Sequence, residues 1–187
     1  MRLRYVLSVL LFALSAGTGE AADLAVGDAF PSFFLRDIDG NNFFYNDYIG
    51  EKARYETDAM IFSFGASYCE PCKREIPELE KIAEKYRDAG LRVFLIAMEP
   101  QDRAQKLVEE TGTTLPLLLD RYLVVQKLIG FEGIPYTVVV DSDGLVQFIN
   151  TGFSESNVRE AMESFEELLR GILGGGSAPA DASAGSQ

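Results

Sequence analysis

Histidine and tryptophan are missing altogether from the 187 residues, and cysteine occurs only twice. Without histidine there is no Ser-His-Asp or Cys-His nucleophile system. Zinc, copper and haem iron lose their commonest nitrogen ligand. Two cysteines alone are too few for a four-coordinate structural zinc site. Basic residues are scarce as well: 17 Lys and Arg stand against 29 Asp and Glu, a net charge of −12. Nucleic-acid binding needs clustered basic side chains at the phosphates, so that class is excluded. The apolar run Tyr5–Ala16 is about a dozen residues, short of the roughly 20 that span a bilayer.

What the ends do contain is informative. Arg2 and Arg4, the apolar run behind them, and the small residues Gly19 and Ala21 read as an export signal over residues 1–21, cleaved after Ala21. A signal retained as a membrane anchor is the alternative. No cysteine follows the cleavage point to carry a lipid, and the expected compartment is a bacterial periplasm. At the other end, residues 174–187 read GGGSAPADASAGSQ, with no large side chain to bury, and are expected to be a disordered tail. Residues 23–173 remain as one domain, long enough for a real core and rich in Phe.

Within that domain the patterning alternates between strand and helix. Two short aromatic runs around Asp39-Gly40-Asn41 suggest a hairpin, followed by a polar connector. AMIFSF (59–64) is a short apolar run, read as a buried strand. Ile76, Leu79, Ile82, Ala83 and Tyr86 recur at helical spacing before Gly90. LRVFLIAM is a second strand, DRAQKLVEET a helix ended by Gly112, LPLLLD a short strand, and RYLVVQKLI a short helix ended by Gly130. YTVVVDSDGLVQFIN reads as a second hairpin. A last helix starts at a Ser cap and carries Val158, Met162, Phe165 and Leu169 on one face. This order implies parallel strands with helices on both faces and an antiparallel hairpin at one end: a three-layer α/β/α domain.

The two cysteines stand in SYCEPCKREIP, between the first buried strand and the helix. A loop closed over two intervening residues removes little chain entropy, so a purely structural staple is a poor reading. A redox pair fits better. At a helix start, unpaired N–H groups and the positive end of the dipole favour thiolate. Cys69 lies at or just before that start, and Cys72 one turn in, facing the body. Cys69 is therefore the expected attacking thiol and Cys72 the resolving one. Pro135 opens the strand YTVVVD. Two readings fit it: a proline at a strand edge, or a cis bond that brings backbone beside the sulfurs.

FGASYCEPCKREIPELEKI and GIPYTVVVDSDGLV together resemble the exported thioredoxin-like oxidoreductases of the TlpA, ResA and DsbE type. VGDAFPSFFLRDIDGNNF is similar to the hairpin that opens those proteins, and the likeness runs from about Gly27 to Leu169. The resemblance implies a thioredoxin fold with a central mixed sheet and an added N-terminal β-hairpin. It implies Cys69 as nucleophile, Cys72 as resolver, a cis Pro135, and Glu75 near the thiols as a tuning group. Glu70 and Pro71, between the cysteines, are further expected redox-tuning residues. Tyr68, Ile134 and Tyr136 are the expected client contacts. No cofactor and no metal is implied. The implied role is reduction of disulfides on client proteins, often apocytochromes c, with recharging by a membrane thiol transporter. The chain departs from the family in the length of its connector YNDYIGEKARYETD (45–58), which is longer than expected, and at four single positions. Tyr68 and Gly65 stand where Trp is common, Ser63 where thioredoxin has a buried Asp, and Tyr136 where the cytochrome-maturation branch favours Glu. A peroxiredoxin-like thiol peroxidase is the nearest rival, although Ala66 stands where its Thr would be. A thioredoxin-fold binding module with an inert cysteine pair is the other.

Overall fold

A computed structural model describes residues 23–50, 52–152 and 158–174. The expected signal and all but the first residue of the expected tail lie outside these residues. So do the proposed Ser cap of the last helix and the side chains of Val158, Met162 and Phe165.

Seven strands form one sheet. They are β1 (Phe34–Asp37), β2 (Asn42–Phe44), β3 (Ala59–Gly65), β4 (Leu91–Ala97), β5 (Leu117–Leu119), β6 (Tyr136–Asp141) and β7 (Val146–Thr151). Their spatial order is β2-β1-β5-β4-β3-β6-β7. β3, β4 and β5 run parallel, and β6, β7, β1 and β2 add antiparallel pairs on either side. The sheet is mixed, as the alternating front half and the terminal hairpin imply. The N-terminal hairpin does not stand apart: β1 pairs with β5 and extends the sheet.

Period-2 alternation splits the apolar residues between two cores. On one face Ala59, Ile61, Leu91, Val93, Leu95 and Val139 meet the helices α1 (Glu70–Tyr86), α2 (Gln101–Thr111) and α4 (Val158–Leu173). On the other face, among the described residues, the α-helical cover is the short helix α3 (Val124–Ile129). Aromatic rings of the N-terminal segment fill the rest of that layer. Phe30 stacks on Phe62 at 5.2 Å, and Phe43 meets Phe94 edge-on at 4.8 Å. Phenylalanine bulk thus does the covering that a second long helix would do.

Helix ends follow local chemistry. α1 gives way to a single tight turn, and Gly90 then takes a left-handed φ of 82°. A side chain there would also collide with the Asp58 carboxylate. α3 starts three residues later than the apolar run suggests, because Asp120 holds its first turn. The buried Asp120 carboxylate accepts from the N–H groups of Val124 (2.7 Å), Val125 (2.9 Å) and Gln126 (3.1 Å). Asp120→Ala leaves those donors without their cap and is expected to cost about 2 kcal/mol. In a domain of this size that lowers Tm by ~4–8 °C, readable in a thermal melt followed by circular dichroism.

Candidate active site

β3 ends at Gly65, and residues 66–68 carry the chain to Cys69, the N-cap of α1. Pro71 occupies the first turn, where a missing N–H costs nothing. Cys69 and Cys72 are joined as a disulfide, with Cα atoms 5.2 Å apart. Cys69 Sγ accepts a hydrogen bond from the Cys72 N–H at 3.2 Å. The sulfur therefore takes the place of the capping oxygen that usually satisfies a helix's first N–H groups. Cys69 is 7 % exposed and Cys72 3 %. The helix start alone suggests a more open Cys69, but it is nearly as covered as Cys72.

Gly65 passes close beneath the pair. A Cβ at this position would lie 3.1 Å from Cys72 Cβ and 3.2 Å from its Sγ. Phe64 pairs with Tyr136 in the β3–β6 ladder, so Pro135 comes next in register, opposite Gly65. The Ile134–Pro135 bond is cis, the second of the two readings open for this residue.

Glu75 is one turn along α1 from Cys72 and only 1 % exposed. Its Oε1 accepts from Thr137 Oγ1 at 2.8 Å, and its Oε2 from Ser63 Oγ at 3.0 Å. Ser63 and Thr137 are direct cross-strand partners. Their neighbours on that face, Ile61 and Val139, are apolar and buried. Burial pushes the Glu75 pKa up, and the two hydroxyl bonds pull part of the way back.

The sequence profile of the AhpC/TSA family matches residues 26–149. The chain belongs to the AhpC/TSA family. Two curated relatives carry the name thiol-disulfide oxidoreductase ResA. That of Geobacillus thermodenitrificans is 28 % identical over 149 residues, covering 79 % of this chain and 82 % of the relative. That of Halalkalibacterium halodurans is 29 % identical over 145 residues, covering 77 % of each. Among solved structures, the thiol:disulfide interchange protein DsbE of Chlorobium tepidum superposes with a TM-score of 0.70. It is 22 % identical, with 81 % of this chain and 99 % of that one covered. The peroxidoxin BcpB of Mycobacterium tuberculosis also shares the fold, at TM-score 0.62 and 20 % identity over 80 % of this chain and 98 % of that one. The fold is therefore that of thioredoxin, and the chain is a thiol-disulfide oxidoreductase.

The remaining expected site residues of this AhpC/TSA chain fall out differently. Glu70 is exposed, and Lys73 Nζ donates to its Oε1 at 2.7 Å. That bond holds the Glu70 pKa below its ordinary value, and the ammonium answers its charge. Lys73 Nζ also pairs with Glu110 Oε2 at 2.6 Å, so that one ammonium is shared between two acids. Tyr68 is 71 % exposed beside the disulfide, and Ile134 is half-buried. Tyr136 is a correction. Alternation turns its ring inward, where it stacks on Phe131 at 4.2 Å, so its side chain is not at the client surface. Ala66, three residues before Cys69, is buried and brings no hydroxyl to the site.

One site residue escapes sequence reasoning altogether. Glu99 is buried, and its carboxylate takes both the N–H and the Oγ of Ser67. Its position gives a signal in retrospect. It follows the carboxyl end of β4, the end of a parallel sheet where α/β proteins assemble their sites.

Proposed function

We propose that this chain reduces disulfide bonds of exported client proteins in the periplasm, with Cys69 as attacking thiol and Cys72 as resolving thiol. The observation that carries the reading is the Cys69–Cys72 disulfide at the N-terminus of α1, with Cys69 Sγ accepting the Cys72 N–H. That N–H and the helix dipole stabilise a Cys69 thiolate once the pair is reduced. The thiolate attacks one sulfur of the client disulfide, and the other client sulfur leaves and is protonated. Cys72 then gives up its proton and attacks Cys69 Sγ. The second client thiol departs, and two electrons have passed to the client. Glu75, made a stronger base by burial and one turn from Cys72, is suited in its ionised form to receive the Cys72 proton.

In this reading residues 1–21 direct export, residues 23–173 form the catalytic domain, and residues 174–187 take no part. Apocytochromes c are candidate clients, and a membrane thiol transporter returns the electrons.

Insulin reduction in dithiothreitol tests the proposal. The wild-type protein is expected to speed precipitation of the insulin B chain. Protein with both Cys69→Ser and Cys72→Ser is expected to match dithiothreitol alone. Equal acceleration by both proteins would mean that the cysteine pair is not the working group.

A further inference from the structure

Glu99 is 3 % exposed and forms no ion pair with any described residue. A buried acid without a cation is costly to keep. Both of its oxygens accept from one residue 32 positions earlier: Oε1 from the Ser67 N–H at 2.6 Å and Oε2 from the Ser67 Oγ at 3.0 Å. Ser67 lies two residues before Cys69, inside a turn closed by the Cys69 N–H on the Ala66 carbonyl at 3.0 Å.

That turn has a weak point. It springs from Gly65, where a Cβ would crowd Cys72. Glycine leaves its own backbone the most freedom of any residue. Held only at Gly65, the turn could swing, taking Tyr68 and Cys69 with it. The Met98 N–H fixes the near side of the hinge by donating to the Gly65 carbonyl at 3.0 Å. Glu99, the next residue, fixes the far side through Ser67. The end of β4 thus grips the active-site turn on both sides of the glycine.

We propose that Glu99 is a positioning residue for the disulfide exchange. By holding Ser67 it sets the direction in which Cys69 Sγ meets an incoming disulfide. This rests on the reading that Cys69 is the attacking thiol. Misplacement of a reacting group by about 1 Å can cost about 10²-fold in rate.

The test is the rate constant for Cys69 attack on a small aromatic disulfide, taken across pH and corrected to full thiolate. Wild-type reaction through Cys69 establishes the underlying reading by itself. Glu99→Ala is expected to lose about tenfold to a hundredfold in the corrected constant. Glu99→Gln keeps an amide oxygen for the Ser67 N–H and is expected to stay within about threefold of wild type, a bond-for-bond replacement. Thermal melts run beside the kinetics report the fold. Glu99→Ala attacking at the wild-type corrected rate, with only its melting lowered, would reduce Glu99 to a structural group. Glu99→Gln as slow as Glu99→Ala would mean that charge, not the grip on Ser67, is what matters. Should Glu99→Ala not fold, Glu99→Asp takes its place. It is one methylene too short to reach, so it is expected to slow attack, and a wild-type rate would overturn the proposal.

Discussion

Cys69→Ser is expected to bring disulfide exchange down to the uncatalysed rate, the largest single effect available in this protein. A hydroxyl in that position keeps the N-cap geometry but has no usable nucleophile near neutral pH. Cys72→Ser is expected to behave differently. Its Cys69 still attacks, but nothing resolves the product, so mixed disulfides with clients accumulate and show on non-reducing gels. The asymmetry follows from position. Cys69 Sγ receives the Cys72 N–H at the helix start, while Cys72 is pressed against Gly65 and is the more deeply covered. Iodoacetamide applied to the reduced protein checks the order. Faster labelling of Cys72 would reverse the assignment.

Glu75→Gln is the second large effect, and it depends on pH. Side chains three apart on a helix have Cβ atoms about 5–6 Å from each other. A charge at that range, at an effective dielectric of ~20, opposes a thiolate by roughly 2–3 kcal/mol. For a two-electron couple this is about 40–60 mV. The charge disfavours the reduced, thiolate-bearing form and so lowers the potential. Removing it is expected to raise the potential by up to that measure and to lower the thiol pKa values, that of Cys72 more than that of Cys69, which stands six residues from Glu75. At pH values below the raised Glu75 pKa the wild-type carboxyl is already neutral, and the difference fades. Equilibration against dithiothreitol from pH 5 to pH 9, with a thiolate absorbance titration, measures both. Glu70→Gln serves as comparison and is expected to change both less, since Glu70 is exposed to water and paired with Lys73. Identical potentials for wild type and Glu75→Gln at pH 8 would sink the idea.

The same substitution has a stability signature. The Glu75 pKa is raised in the folded chain, so between its unfolded and folded values the folded state binds more protons. Wild-type stability is therefore greatest below the ordinary carboxyl range and is lost as pH rises through the folded value. Glu75→Gln lacks that slope. Its advantage over wild type is expected to grow with pH across this window and then level off. Each unit of upward shift is worth about 1.4 kcal/mol.

Much of this architecture is legible in the sequence, and the reason is periodicity. The buried strands at 59–64 and 91–98 and the helix behind Cys72 announce themselves through spacing alone. The short Cys69–Cys72 loop between them has little use except redox chemistry. Contacts set by sheet register are a different matter. Ser63, Glu75 and Thr137 are brought together only because β6 pairs with β3 in one particular alignment, and a slip of one residue would turn Thr137 away. Tyr136 shows the same limit: adjacency to Pro135 suggests the client surface, yet the face on which β6 begins decides otherwise. Glu70 and Glu75 look alike in sequence, and helix phase alone separates a paired surface acid from a buried one. The aromatic lead-in is readable as a hairpin. Its service as half of the second layer is not, because that depends on how little helix exists elsewhere.

The cluster around Glu75 also constrains how this protein can diverge. Its three members come from β3, α1 and β6, and each satisfies a buried polar atom of another. If Glu75 mutates to an apolar residue, two hydroxyls lose their buried acceptor. If Ser63 or Thr137 goes first, the carboxyl loses a donor in a place with little water to replace it. Each single step is a deficit that a second step must repair. In descendants of this chain the three positions are therefore expected to change as a set, and lineages that abandon the acid should carry Ala or Val at both former hydroxyl positions.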